Sequence, residues 1–144
     1  MSIINEVLQR KGGSVLTVNS DASVIDAIGI MSEANIGALV IQENEQPVGI
    51  FTERDYMRKI ALKGRSSSNT PMKEVMSSPL ITVTSGETTS NAMEIMTERR
   101  CRHLVVVDDE NMTGIVSLGD LVKHMLQEKQ AEVEQLSQYI AGSY

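Results

Sequence analysis

The residues best placed to do chemistry lie in two matching heptapeptides, Gly49-Ile50-Phe51-Thr52-Glu53-Arg54-Asp55 and Gly114-Ile115-Val116-Ser117-Leu118-Gly119-Asp120. Each runs glycine, two apolar residues, a hydroxyl residue, two variable residues, then aspartate. A hydroxyl three residues ahead of an acid is a variant of the capping box, with Asp in place of Glu, and on that reading it only starts a helix. The same geometry suits an anion. Where a strand gives way to a helix, free backbone N–H groups can hold a phosphate while the hydroxyl donates to it. One turn further on, a carboxylate can accept hydrogen bonds from two ribose hydroxyls.

Other chemistries find little support. Gly114 to Gly119 lacks the Gly-x-Ser-x-Gly of a nucleophile elbow, because Ile115 stands two places before Ser117. There is no phosphate loop ending in Lys and Ser or Thr, and no Gly-x-Gly-x-x-Gly opening a helix. The single cysteine, Cys101, excludes an intrachain disulfide and reads as a small buried side chain. The two histidines are too few for a structural zinc cluster, so no metal is expected. With no nucleophile and base to pair, the chain reads as non-enzymatic.

The elements that must position the heptapeptides come from an internal repeat. A shift of 65 positions, carrying residues 17–61 onto 82–126, gives 13 identities in 45 pairs without a gap. Each copy opens on a short extended piece, Val15 to Val18 or Leu80 to Val83, and a polar turn. A helix follows, with an apolar stripe of Val24, Ala27, Ile28 and Met31 in one copy and Ala92, Met93, Ile95 and Met96 in the other. Ala38 to Ile41 and Leu104 to Val107 begin hairpins, each with a brief second strand that ends where a helix starts at Thr52 or Ser117. The order is β-α-β-β-α, twice.

Residues 1–62 therefore form the first copy with its N-terminal helix, 63–70 a polar linker, 71–127 the second copy and 128–144 a helical extension. Thr70 and Pro71 predict an N-cap and first turn for a short helix to Met76, leading into the second copy as Ile3 to Leu8 leads into the first. The final helix, from Leu118 to about Ile140, carries an interrupted stripe of Leu121, Val122, Met125, Val133, Leu136 and Ile140. Such a stripe outruns its own copy and predicts a homodimer. His124, on the same helix, reads as a surface residue.

With 41% apolar and 22% charged residues the chain can build one core or two small ones. No apolar run approaches the roughly 20 residues of a membrane span, and Asn5, Glu6 and Arg10 interrupt any signal peptide, so a cytoplasmic chain with no membrane partner is expected. A net charge of −6 argues against nucleic acid. Any bound anion must be met locally, and the copies differ here: Ile36-Gly37-Ala38 in the first stands against Arg99, Arg100, Arg102 and His103 in the second. Arg102, His103 and Arg54 are the candidate phosphate partners, whereas Arg99 and Arg100 suit a solvated helix end.

The duplicated unit, the paired heptapeptides, Ile36-Gly37-Ala38-Leu39-Val40 and Arg102-His103-Leu104-Val105-Val106-Val107-Asp108 resemble a tandem pair of CBS domains over nearly the whole chain. Thr52 to Lys59, Gly64-Arg65-Ser66-Ser67-Ser68 and the tail Tyr139-Ile140-Ala141-Gly142-Ser143-Tyr144 resemble the stand-alone two-CBS proteins of bacteria and plant organelles. The resemblance implies an α+β fold, two repeats packed sheet to sheet with pseudo-twofold symmetry around two clefts, plus the long C-terminal helix. It implies adenosyl ligands such as AMP, ADP, ATP, NAD(H) or S-adenosylmethionine. Carried over by motif, Thr52 and Ser117 face phosphates, Asp55 and Asp120 hold ribose, and Val15, Leu16, Leu80 and Ile81 approach adenine. Arg102 and His103 stand where basic residues contact phosphates in the family, and Gly119 in place of Arg54 makes the clefts unequal. The function so implied is a nucleotide sensor that acts on a regulated protein. The alternative is a constitutive dimerisation scaffold with empty clefts.

Overall fold

In the computed structural model, which describes residues 2–142 and leaves Met1, Ser143 and Tyr144 outside the described residues, the sequence repeat becomes a repeat of hydrogen bonds. Ser23 Oγ accepts from Asp26 N at 3.2 Å and Thr88 Oγ1 from Asn91 N at 3.1 Å. These side-chain caps start α2 (Val24–Ala34) and α4 (Thr89–Arg99). Both helices stop on a left-handed residue, Asn35 or Arg100. Each is followed by an antiparallel hairpin, β2 (Ala38–Glu43) with β3 (Gln46–Thr52), and β5 (His103–Asp108) with β6 (Asn111–Ser117). Ala38 faces Thr52 as His103 faces Ser117, and a bulge follows Ile41 as it follows Val106. The turns Asn44-Glu45 and Asp109-Glu110 have positive φ at both positions, the two-residue geometry whose twist matches the flanking strands. The second strand of each hairpin is seven residues, longer than the brief strand expected.

The third strands are β1 (Thr17–Asn19), parallel to β2, and β4 (Thr82–Val83), giving two three-stranded sheets ordered β1-β2-β3 and β4-β5-β6. The chain divides into two compact units. One is Ser14–Thr82, and the other joins the N-terminal segment up to Gly13 to the chain from Val83 onward. The first unit's core gathers Val18, Val24, Ala27, Met31, Leu39, Ile41, Phe51 and Ile60 with Met72 and Val75. In the second unit Val83, Ala92, Met96, Leu104, Val106, Val116 and Leu121 are buried along with Ile4 and Val7.

The two contact-based units do not follow the order of the copies along the chain. Helix α1 (Ile4–Lys11) belongs to the unit of the second copy, and residues 71–76 to that of the first. The reason is a second correspondence, at 68 positions, that sequence identity hides. Ile4 N donates to Glu87 O and Met72 N to Ala22 O, both at 2.8 Å. Asn5 N donates to Ser85 O and Lys73 N to Ser20 O, both at 2.9 Å. Ile4 and Val7 thus fill in one unit the places of Met72 and Val75 in the other. The glycine of each heptapeptide serves this contact. A Cβ on Gly49 would lie 2.6 Å from Met76 Sδ, and one on Gly114 2.6 Å from a Leu8 methyl carbon.

Thr70 is not the cap predicted from Thr70-Pro71. Its buried hydroxyl donates to Ser66 O at 2.6 Å, Pro71 is extended, and the helical piece is only a 3₁₀ turn, Met72–Glu74. The linker is hydrogen-bonded to α2, since Ser67 O and Thr70 O accept from Ile25 N and Val24 N in its first turn.

After Thr52 comes α3 (Glu53–Asp55), which continues as a π-helical turn, Tyr56–Ala61. After Ser117 comes α5 (Leu118–Gly142), 25 residues long. Of its expected stripe Leu121 is buried, while Val122, Met125, Val133, Leu136 and Ile140 are exposed. His124, expected at the surface, is only 4% exposed. The side of α5 that carries it faces α1, near enough for its ring to lie 3.8 Å from Glu6.

Candidate functional site

Both heptapeptides build the cap geometry. Thr52 Oγ1 accepts from Asp55 N at 3.2 Å while Asp55 Oδ2 accepts from Thr52 N at 3.0 Å, a reciprocal capping box. In the second copy Ser117 Oγ accepts from Asp120 N at 3.0 Å and Asp120 Oδ2 from Ser117 N at 2.9 Å.

The aspartates differ in what else they hold. Asp55 is buried, and its other oxygen, Oδ1, accepts from Ser77 Oγ at 2.9 Å and pairs with Lys59 Nζ at 3.1 Å. Both oxygens are occupied from within the unit. Asp120 pairs through Oδ2 with Lys11 Nζ of α1 at 2.8 Å, and the same ammonium donates to Ile115 O at 2.9 Å. Asp120 Oδ1 accepts no hydrogen bond among the described residues. Burial raises the Asp120 carboxyl, but the Lys11 hydrogen bond and charge, with the Ser117 N–H, outweigh it and hold the group below its ordinary 3.8. Ionised Asp120 therefore stabilises its unit above that ordinary value, and the contribution is lost as pH falls through the lower folded one.

Arg102, His103 and Ser117 line one groove of about 710 Å³ with Gly119, Lys123 and an apolar floor of Leu118, Val122 and Leu126. The hairpin register puts His103 opposite Ser117, and Leu118 N donates to Arg102 O at 2.8 Å, so the strand entry is fastened to the helix start. Leu118 N and Asp120 N are thereby engaged, leaving Gly119 N–H as the first-turn donor of α5 without an acceptor among the described residues. Asp120 lines a separate depression of about 460 Å³ with Arg10, Lys11 and His124, and Lys123 borders both.

In the first copy Thr52 caps α3 and Arg54 is exposed, with Gly37 where Arg102 stands in the second. Glu53 Oε1 lies 2.8 Å from where a Gly37 Cβ would be, placing a carboxylate there instead of a cation. Val15 is half-buried and Leu16 is 42% exposed, just before β1. Leu80 and Ile81 are half-buried and group with Ser14–Thr82 rather than with Ser117. Arg99 and Arg100 are exposed at the end of α4, as a solvated helix end should be. Burial pushes the Cys101 thiol up, against a reactive thiolate. Lys123 was missed by motif reading. Its signal is the spacing, since residue 123 lies six beyond the cap on the first turns of α5.

The family model for the CBS domain matches residues 5–62 and again 72–127. The chain belongs to the CBS domain family. Among similar CBS proteins is the mitochondrial CBS domain-containing protein CBSX3 of Arabidopsis thaliana, 41% identical over 98% of this chain and 73% of its own length. Another is the CBS domain-containing protein YhcV of Bacillus subtilis, 32% identical over 81% of this chain and 83% of its own. A solved CBS-domain protein from Burkholderia ambifaria superimposes with a TM-score of 0.84 at 38% identity, covering 88% of this chain and 95% of that one. The α+β fold with a CBS repeat written twice and a long C-terminal helix is the architecture expected from the sequence. This is a CBS-pair protein of the regulatory, signal-transduction type, and no helix among its described residues is long and apolar enough to cross a membrane.

Proposed function

We propose that the chain is a ligand-responsive regulator whose second CBS unit takes the phosphate end of an adenine nucleotide, AMP, ADP, ATP or NAD(H), and passes the change to a partner protein. The observation that carries the reading is the convergence of Arg102, His103 and Lys123 with the Ser117 hydroxyl and the Gly119 N–H at the start of a 25-residue helix. The described lining residues include no carboxylate, so a phosphate meets net positive charge from them in a chain of net charge −6. The apolar floor supplies a surface for a base, and the volume lies in the range of small-molecule sites.

Asp120, with Oδ1 unengaged, is the better of the two aspartates to accept a ribose hydroxyl, because Asp55 is saturated. A CBS pair of the same fold at 23% identity was solved with 5′-methylthioadenosine and S-adenosyl-L-methionine, a likeness of fold that leaves local chemistry to decide the ligand here. Signalling requires that the nucleotide bind two conformations unequally. Action in the cytoplasm without catalysis belongs to the same proposal.

The test is thermal unfolding of nucleotide-stripped protein against AMP, ADP, ATP, NAD, NADH and S-adenosylmethionine. A ligand at 100 times its Kd is expected to add about 2.7 kcal/mol, a rise of roughly 5–10 °C in Tm, and Arg102→Ala to remove most of it. If no nucleotide moves the midpoint, the proposal fails and the scaffold reading takes its place.

That second reading draws on α5. Val122, Leu126, Lys129, Val133, Leu136 and Ile140 follow alternating steps of four and three, and the five apolar ones are 40–65% exposed. An average spacing of 3.5 residues with a single Lys is the seam of a two-stranded coiled coil, for which a second copy of this chain is the occupant. Light scattering is expected to give a dimer, and Leu136→Glu a monomer with unchanged helix content. A wild-type monomer at tens of micromolar would refute the homodimer.

A further inference from the structure

His124 and Glu128 stand one turn apart on α5, and Glu6 reaches them from α1 within the same unit. His124 is 4% exposed, yet neither ring nitrogen has an aligned hydrogen-bond partner among the described residues. Nε2 lies 2.6 Å from Glu128 Oε1 and 3.8 Å from Glu6 Oε2, close to both carboxylates without hydrogen-bond geometry to either. One donor atom from each of the three residues falls within a 4.8 Å span. A buried imidazole left in this way forfeits the hydrogen bonds it would make to water, which a ligand could restore.

We propose that Glu6, His124 and Glu128 bind a divalent first-row transition-metal ion. One imidazole and two carboxylates form a mixed nitrogen and oxygen donor set suited to such ions, and i, i+4 spacing on a helix is how helical zinc sites present paired ligands. Bonds of about 2.0–2.2 Å at tetrahedral angles place donor atoms about 3.3–3.5 Å apart. Relative to His124 Nε2, Glu128 therefore retreats by less than 1 Å and Glu6 advances by about half that, while the two carboxylates must also close on each other from a span of up to 4.8 Å.

Ser2 Oγ already hydrogen-bonds to Glu128 Oε1 and would orient that carboxylate behind the ion. Beside the three ligands a cavity of about 350 Å³, bordered by Gln9 and Arg10, has room for water in the remaining coordination positions. The cationic Arg10 side chain donates to Gln127 Oε1 at 2.6 Å, and among the described residues the ion pairs of Glu6 and Glu128 are with His124. Among the described residues the other unit has no such set. Lys59 and Lys63 stand at the positions that match His124 and Glu128, and Lys59 Nζ donates to Val75 O. The ion would fasten α1 to α5 in one unit only.

The test is calorimetric titration of untagged, chelator-treated full-length protein with zinc chloride. One zinc per chain is expected, weakened about tenfold or more by Glu6→Gln and by Glu128→Gln, both at partly exposed positions that the fold tolerates. Zinc is also expected to raise Tm by several degrees in the parent and not in these variants. His124→Gln, if it folds, is expected to lose binding, while Cys101→Ser keeps it. The proposal is overturned if no saturable binding occurs, if Glu6→Gln and Glu128→Gln bind zinc as the parent does, or if Cys101→Ser is the change that removes it.

Discussion

Ile4→Ala is expected to destabilise the protein by about 2–5 kcal/mol, and the loss to fall on strands far along the chain rather than on those that follow it. Ile4 is fully buried in the unit that contains Leu104, Val106 and Val116, and its N–H donates to Glu87 O. Truncation removes three carbons from a site walled by backbone hydrogen bonds, with little freedom to collapse. Amide exchange checks this directly. Residues 104–106 and 116 are expected to lose protection, while 39–41 keep theirs. Equal loss in 39–41, or loss there alone, would sink the assignment of α1 to the second copy's unit.

The second large effect is expected at Asp55. Asp55→Ala leaves the Thr52 N–H, the Ser77 hydroxyl and the Lys59 ammonium without their shared acceptor. A lost cap together with charge-assisted bonds in a buried setting costs about 2–4 kcal/mol, whereas Asp120→Ala, which has fewer partners and a more exposed carboxylate, costs about 1–2 kcal/mol. Urea midpoints at constant m-value give the comparison. Equal midpoints for the two variants would contradict it. A consequence for ligand studies is that loss of a nucleotide response in Asp55→Ala would report a weakened fold before any ribose contact, which is why Arg102 carries the functional test.

Much of this architecture can be read from sequence because it is local. Thr88 caps α4 as Ser23 caps α2, and the stripe of Val24, Ala27 and Met31 is buried as its helical spacing requires. The hairpins follow from β-branched runs around acidic turns, and the cap from hydroxyl to Asp is a matter of three residues. The exchange of lead-in segments is not local. Ile4 matches Met72, and Val7 matches Val75, at an offset three residues longer than that of the rest, so the alignment that reveals the repeat conceals the docking.

The candidate site divides in the same way. Arg102, His103 and Ser117 are joined by the hairpin register, which pairing patterns already imply. Lys123 enters from a helix face that sequence reads as solvated. His124 misled for a related reason: its neighbours Lys123 and Met125 are exposed, and the residue that turns its face inward, Glu6, is more than a hundred positions away.

The crossing of the lead-in segments also sets an order for synthesis. Ser14–Thr82 is one continuous stretch and can close as soon as its last residues leave the ribosome. Ile4 must wait for Glu87, 83 residues later (87 − 4), which at about 5–20 residues per second is roughly 4–17 s. Through that interval the apolar face of α1 has no site to enter, and the contacts it finally makes are among the most distant in the chain. Folding of the later unit is therefore timed by elongation rather than by its own chemistry, and a pause in translation between codons 14 and 87 lengthens the exposure of Ile4 and Val7 without changing a single residue.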